Sequence, residues 1–388
     1  MTPVSPSVPV RRLSLFYALY FALLGCIAPY WGLYLQDRSF SANDIGLLMG
    51  GFGLVRILAP NLWAVLGLRF RSPLHMVRIA GVMTLICFSF IWQAGTRTDF
   101  LLVMLSYGFF WAAMLPQYEA ITMHFLGNRV EIYSRIRVWG SIGFILLVVM
   151  AGLLFDYFSV RLLPLLMFLL MTAIVLNSLL LKNTSAGMGK HEGSVNFWRI
   201  MTARPVMAFI VMTVLLQISH GPYYTFFSIY LEAHGYSSWQ TGCLWATGVM
   251  AEVVLFWQFS RVANIFSWQM WCVASLFLTA LRWLMVALFP DNGWLLLLAQ
   301  ITHAFSFGAM HVIAMRYVQY FFPGRLQARG QALYSSVGFG LGGAVGAWLS
   351  GMLWQPLGDT EVFMLAAVIA LLAMVVAWIG LKTVTDCH

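Results

Sequence analysis

Twelve apolar runs, each long enough to cross a bilayer, follow one another along this chain. They lie near 13–35, 42–66, 74–94, 99–122, 137–158 and 161–181, and resume near 205–231, 239–262, 268–289, 293–315, 330–354 and 360–381. A spanning α-helix needs ~20 apolar residues at 1.5 Å of rise each. The pattern therefore predicts an all-α membrane protein of twelve transmembrane helices. The one extended polar stretch, 182–204, divides them six and six. It is rich in Gly, Ser, Thr and Lys and too short for a domain. It reads as a link between a bundle over 1–181 and a bundle over 205–388. Arg11 and Arg12 precede the first run as they would in a signal peptide. That run is too long and has no clear small-residue cleavage site, so a retained first helix is expected.

Composition removes the soluble alternatives. Charged residues make up 9% of the 388 positions and apolar residues 61%, whereas soluble domains carry about a quarter charged residues. The net charge of +9 is spread through short connectors and forms no basic stripe for nucleic acid. With the N-terminus inside, seventeen Lys and Arg fall in cytoplasmic segments. Three (Arg38, Arg97, Arg161) fall outside, and Arg56 and Arg282 lie within runs. That bias predicts cytoplasmic N- and C-termini in an inner, cytoplasmic membrane. The five cysteines are dispersed without metal or disulfide spacing. Walker A, HExxH and GxSxG patterns are absent, and no GxGxxG follows a predicted strand. No enzyme, cofactor or ATP-driven pump is expected, which leaves ion-gradient coupling.

The two halves repeat. An offset of 196 pairs Gly25 with Gly221, Tyr34-Leu35 with Tyr230-Leu231, Phe40-Ser41 with Tyr236-Ser237, and Gly46 with Gly242. Ser141-Ile142-Gly143-Phe144 answers Ser336-Val337-Gly338-Phe339 at offset 195. Chance matches would scatter in offset. Six helices per half give both repeats the same membrane orientation. Parallel, pseudo-symmetric six-helix bundles with a mid-membrane cavity between them are the major facilitator arrangement.

A charge near the centre of a spanning helix costs ~2.5–3.5 kcal/mol and needs a partner or a wet cavity. Arg56, Glu119, Glu252 and Arg282 are such residues here, with His220, His303 and His311 beside them. Glu252 sits deep in the eighth run, at the repeat position equivalent to Arg56. A carboxyl in a low-dielectric cavity can carry a proton as access alternates; the other reading is a fixed pair with Arg282 or Arg56. Glu119 and Arg137 flank a short hairpin across which they could face each other. An arginine fork there suits carboxylate recognition. His303 and His311, eight residues apart, lie close to one helix face. Pro222 should bend the seventh run at His220. Tyr224, Trp245 and Trp139 offer aromatic surface to a substrate.

RVWGSIGF after the 4–5 hairpin, Glu119 eighteen residues before Arg137, Glu252, Arg282 and His303 together resemble the lactose permease branch of the major facilitator superfamily. The stretches His220-Gly-Pro-Tyr-Tyr, His234-Gly235-Tyr236, Ala251-Glu252-Val253 and Ala314-Met315-Arg316-Tyr317 bring the chain closer to the 3-phenylpropionate transporter family. The resemblance covers nearly the whole chain. It implies that Glu119 and Arg137 contact substrate, that Glu252 links substrate to coupling, and that Arg282 with His303 serves a proton path. Two features depart from the lactose-type pattern. Ser306 stands where a second carboxylate would follow the histidine, and the 2–3 loop (NLWAVLGLRFR) lacks the usual Asp. The resulting expectation is a monomeric, lipid-embedded symporter that takes protons and a small organic anion such as 3-phenylpropionate. Paired carboxylates also suit the hydroxyls of a sugar or nucleoside. A non-transporting receptor or scaffold is the alternative of another class.

Overall fold

The computed structural model describes residues 8–381 apart from 68, 69, 71, 128 and 182–199; the 182–204 link therefore falls largely outside the described residues. Every regular element among the described residues is helical. Twelve spans result: α1 Val10–Asp37, α2 Ala42–Gly67, α3 Pro73–Trp92, α4 Arg97–Leu126, α5 Tyr133–Tyr157, α6 Val160–Leu179, α7 Arg204–Ala233, α8 Ser238–Val262, α9 Trp268–Leu288, α10 Gly293–Phe321, α11 Gln327–Leu357 and α12 Asp359–Gly380. Each coincides with one apolar run. The observed helices mostly extend past the runs because polar caps prolong them. Thr96 with Asp99, and Ser237 with Gln240, form capping boxes at the starts of α4 and α8. Ser72 and Asn292 cap α3 and α10.

The first six helices pack into one bundle and the last six into another. Within the first, α1 lies along α5 and α6; within the second, α7 lies along α11 and α12. The halves meet where α2 packs on α11, α5 on α8, and α1 on α7. These contacts follow from the repeat. Gly46 of α2 brings the backbone of α11 so close that a Cβ there would stand 2.6 Å from the Gly351 Cα. Its repeat partner Gly242, on α8, approaches the Val148 carbonyl of α5 in the same way. Small residues allow such close packing in a membrane, where apolar burial gives no net drive between helices.

All the helices keep one alternation, so the α6 and α7 ends define a linker face and the α1–α2 turn a far face. The Gly46, Gly242 and Gly32 approaches lie in the far halves of their helices. Hydrogen bonds join the halves there as well. Tyr30 Oη of the first half, which also donates to the Val148 carbonyl of its own half, reaches the Ser238 carbonyl of the second half at 3.4 Å. The Asp156 carboxylate of α5 accepts from the Ser238 and Trp239 amides of α8, at 2.7 and 3.2 Å. This conformation is sealed on the far face.

Four spans are irregular at mid-membrane. α4 breaks at Ala113 and α7 at His220. The α7 break has the expected cause: Pro222 cannot donate, and its ring crowds the Ile218 carbonyl. α10 is π-helical over Ala304–Ala309 and α11 over Tyr334–Gly342. Such π segments are frequent at functional sites.

Candidate functional site

Three mid-membrane side chains of the second half form a row. Arg282 of α9 is fully buried, and its Nη1 donates to His303 Nδ1 on α10 at 2.7 Å. His303 Nε2 lies 2.7 Å from Glu252 Oε1 on α8. A guanidinium can only donate, so Nδ1 must be the accepting nitrogen of a neutral imidazole. The ring proton is then on Nε2 and donates to the carboxylate. The order Arg282–His303–Glu252 follows from the chemistry. A positive and a negative end are joined through a neutral ring, which answers the cost of burying either alone.

The rest of the second half holds Arg282 in place. Its guanidinium lies 4.2 Å from the Tyr223 ring centroid and 4.4 Å from that of Trp283, within cation–π range. Nη1 also donates to Ser306 Oγ at 3.1 Å, and Nη2 reaches Gln300 Oε1 at 3.4 Å. Tyr223 Oη donates to the same Gln300 oxygen at 2.9 Å. A hydroxyl thus occupies the position where the lactose-type pattern has its second carboxylate. Among the described residues Glu252 is the one carboxylate paired to this row, and its side chain keeps 12% exposure against 6% for His303. The carboxylate end of the row is more exposed than its histidine.

The first half contributes Arg137 and Glu119. They interact electrostatically, but no ion pair within 4 Å joins them among the described residues. The Arg137 guanidinium instead lies over the ring of Phe21 at 4.1 Å and near Tyr17 at 5.5 Å, both on α1. The face-to-face pairing across the hairpin is therefore replaced by an aromatic seat, which leaves the fork's hydrogen-bonding edge uncommitted to Glu119. Arg56 lies on α2, with its side chain outside the described residues.

The remaining candidates divide. His220 is buried, and its Nδ1 donates to the Leu216 carbonyl at 2.8 Å beside the α7 break. Trp245 is buried too, its indole N–H donating to Ser228 Oγ at 3.1 Å and its ring 4.5 Å from Tyr223. Both belong to the aromatic interior of the second half, and Tyr224 lies beside them. Trp139 is half exposed. His303 and His311 share a face: the Phe307 ring lies nearly parallel to both, at 5.7 and 6.4 Å. Sequence reasoning missed Tyr223 and Gln300 as partners of Arg282. Gln300 precedes His303 by three residues, a helical spacing that could have shown it.

Comparison with known proteins agrees with this geometry. The MFS_1 like family model matches residues 10–365. The chain is 29% identical over 382 residues to the "Probable 3-phenylpropionic acid transporter" of Escherichia coli (strain K12), covering 97% of this chain and 98% of that one. It is 25% identical to the maltose permease of Geobacillus stearothermophilus over 88% of this chain and 87% of that one. Among solved structures, a mutant of the nucleoside transporter NupG superposes with a TM-score of 0.86. It is 18% identical and covers 95% of this chain and 98% of that one. A bacterial homologue of the lysosomal transporter Spinster, in an inward-facing and unoccupied conformation, gives a TM-score of 0.71 at 14% identity, over 99% of this chain and 98% of that one. The chain is a twelve-helix secondary transporter and belongs to the MFS_1 like family of the major facilitator superfamily.

Proposed function

We propose that this transporter couples protons to the uptake of a small organic anion, an aromatic carboxylate of the 3-phenylpropionate type. The observation that carries the reading is the Arg282–His303–Glu252 row. With Glu252 ionised the row is neutral overall. A proton on Glu252 leaves the Arg282 charge uncompensated in a low-dielectric interior, a costly condition. An entering carboxylate restores neutrality, so proton and anion bind together and leave together. Arg137 supplies the fork that suits the carboxylate. The identity to a probable 3-phenylpropionic acid transporter supports the aromatic acid. The excess of Lys and Arg on the linker face supports a cytoplasmic linker and termini in the inner membrane. On that orientation the far-face seal makes this conformation inward-facing.

The test is uptake of labelled 3-phenylpropionate into proteoliposomes under an imposed pH gradient. Uptake should follow the gradient and collapse with a protonophore, and Glu252→Gln should abolish gradient-driven accumulation. Accumulation that ignores the protonophore would refute coupling. A second reading, a nucleoside or sugar as substrate, draws on the fold match to NupG and on Glu119 and Glu252 as hydroxyl acceptors. Competition of the uptake by nucleosides or maltose, with aromatic acids inert, would favour it.

A further inference from the structure

We infer that His311 of α10 is the second half's contact to the substrate carboxylate, and that with Arg137 of the first half it forms an anion clamp across the interface. This rests on the organic-anion reading above. Four observations converge on His311. First, it continues the α10 stripe of Gln300, His303 and Phe307, whose first two members hold Arg282. A regular α-helix would turn position 311 about 80° away from position 303. The π-helical stretch Ala304–Ala309 lies between them, and one Phe307 ring runs nearly parallel to both imidazoles. Second, His311 Nδ1 is buried without a hydrogen-bond partner. A buried, unpaired polar atom in a native structure calls for an explanation, and an absent ligand is one. Third, the charges acting on this imidazole are Glu252 of its own half and Arg137 of the other. His311 is therefore within electrostatic reach of both the Glu252 carboxylate and the Arg137 guanidinium. Fourth, the Phe307 and Tyr334 rings flank it, at 6.4 and 6.0 Å, and provide apolar surface beside an anion's aromatic ring.

The placement gives the clamp a coupling role. A carboxylate between Arg137 and His311 lies in the field of Glu252. Two like charges in a poorly screened site oppose each other, so the anion enters when Glu252 carries its proton. A clamp with one jaw in each half also joins the halves only when occupied.

Carbethoxylation of His311 by diethyl pyrocarbonate, resolved by peptide mass spectrometry on the full-length protein in lipid nanodiscs, tests this directly. The probes are 3-phenylpropionate and its neutral isostere 3-phenylpropanamide. The acid should protect His311 and the amide should not. In parallel, His311→Leu should raise the Kd of the acid about 10- to 100-fold, the loss of one hydrogen bond to a charged group. His311→Gln, which keeps an N–H donor, should recover most of that loss. Equal protection by acid and amide overturns the clamp. So does proton-driven uptake of the acid with His311 unprotected, which leaves the transport reading standing. Absence of both uptake and protection rejects the two together. If His311→Leu does not fold, the protection experiment on the unaltered chain still decides.

Discussion

Asp156 offers the sharpest test of how the far face is held shut. Helix α8 begins with amides that have no intrahelical partner. Ser237 takes the amide of Gln240 from within the helix's own cap. The amides of Ser238 and Trp239 go instead to the Asp156 carboxylate at the end of α5, in the other half. Asp156 is thus a helix cap supplied across the interface, and it exists only while the far face is closed. Replacing a capping residue by Ala costs about 0.5–2 kcal/mol, and a negative charge at a helix N-terminus adds about 0.3–1 kcal/mol when exposed. Asp156 is exposed, so the lower part of the combined range applies, about 1–2 kcal/mol. Asp156→Ala should therefore shift the balance toward the far-open state by roughly 5- to 30-fold. Asp156→Asn keeps an acceptor and loses the charge, so its shift should be smaller. Electron–electron spin distances between labels at Phe158 and Trp294, exposed far-face positions in opposite halves, would read the population. An unchanged distance distribution in Asp156→Ala would refute the reasoning.

Other consequences follow from the same contacts. Arg282→Met should lower thermal stability in detergent by about 3–5 kcal/mol, because it leaves the Glu252 end buried without its counter-charge. The double variant Arg282→Met/Glu252→Gln should be less destabilised than the sum of the single variants, by about 0.5–3 kcal/mol; strict additivity would show that the row is not one electrostatic unit. Tyr223→Phe loses its bond to Gln300 but keeps the ring beneath Arg282, so chemical denaturation should show a cost of about 1 kcal/mol, with Tyr223→Leu costing more. Gly242→Val should open the far face in the same spin-distance experiment, since its Cβ would meet the Val148 carbonyl and the Tyr30 hydroxyl. A closed far face in that variant would show that the backbones can part without opening.

Much of the architecture was legible in one dimension. Lipid as the outer solvent forces each spanning segment to satisfy its own backbone, so an apolar run of sufficient length is a helix whatever its neighbours do. Twelve runs became twelve spans for that reason. The repeat was also a packing code. Gly25 meets Val148 and Phe144 of α5, and its counterpart Gly221 meets Gly346 of α11; Gly143 abuts Ala18 of α1, and Gly338 abuts Thr213 of α7. Equivalent glycines make equivalent helix contacts, and a glycine's position reads directly from sequence. Charged residues inside the runs were visible too, because a membrane makes each of them costly.

Which of those charges meet was a different matter. Arg282 could have paired directly with Glu252, and Glu119 with Arg137. The folded chain inserts His303 into the first pair and seats Arg137 on Phe21 rather than on Glu119. Spacing within a helix fixes only the face a residue occupies. Contacts between α8, α9 and α10 depend on how three separate helices rotate and slide against one another. The π-helical turns of α10 and α11 add a local change of register that no hydrophobic period announces. Asp156 shows the same limit from the other side, as an ordinary acid at a helix end until α8 is brought to it. The sequence by itself determined the number, order and symmetry of the helices, because the bilayer acts on each segment separately. Only the tertiary structure decided the partners of the buried charges, because those are set by packing between segments far apart in the chain.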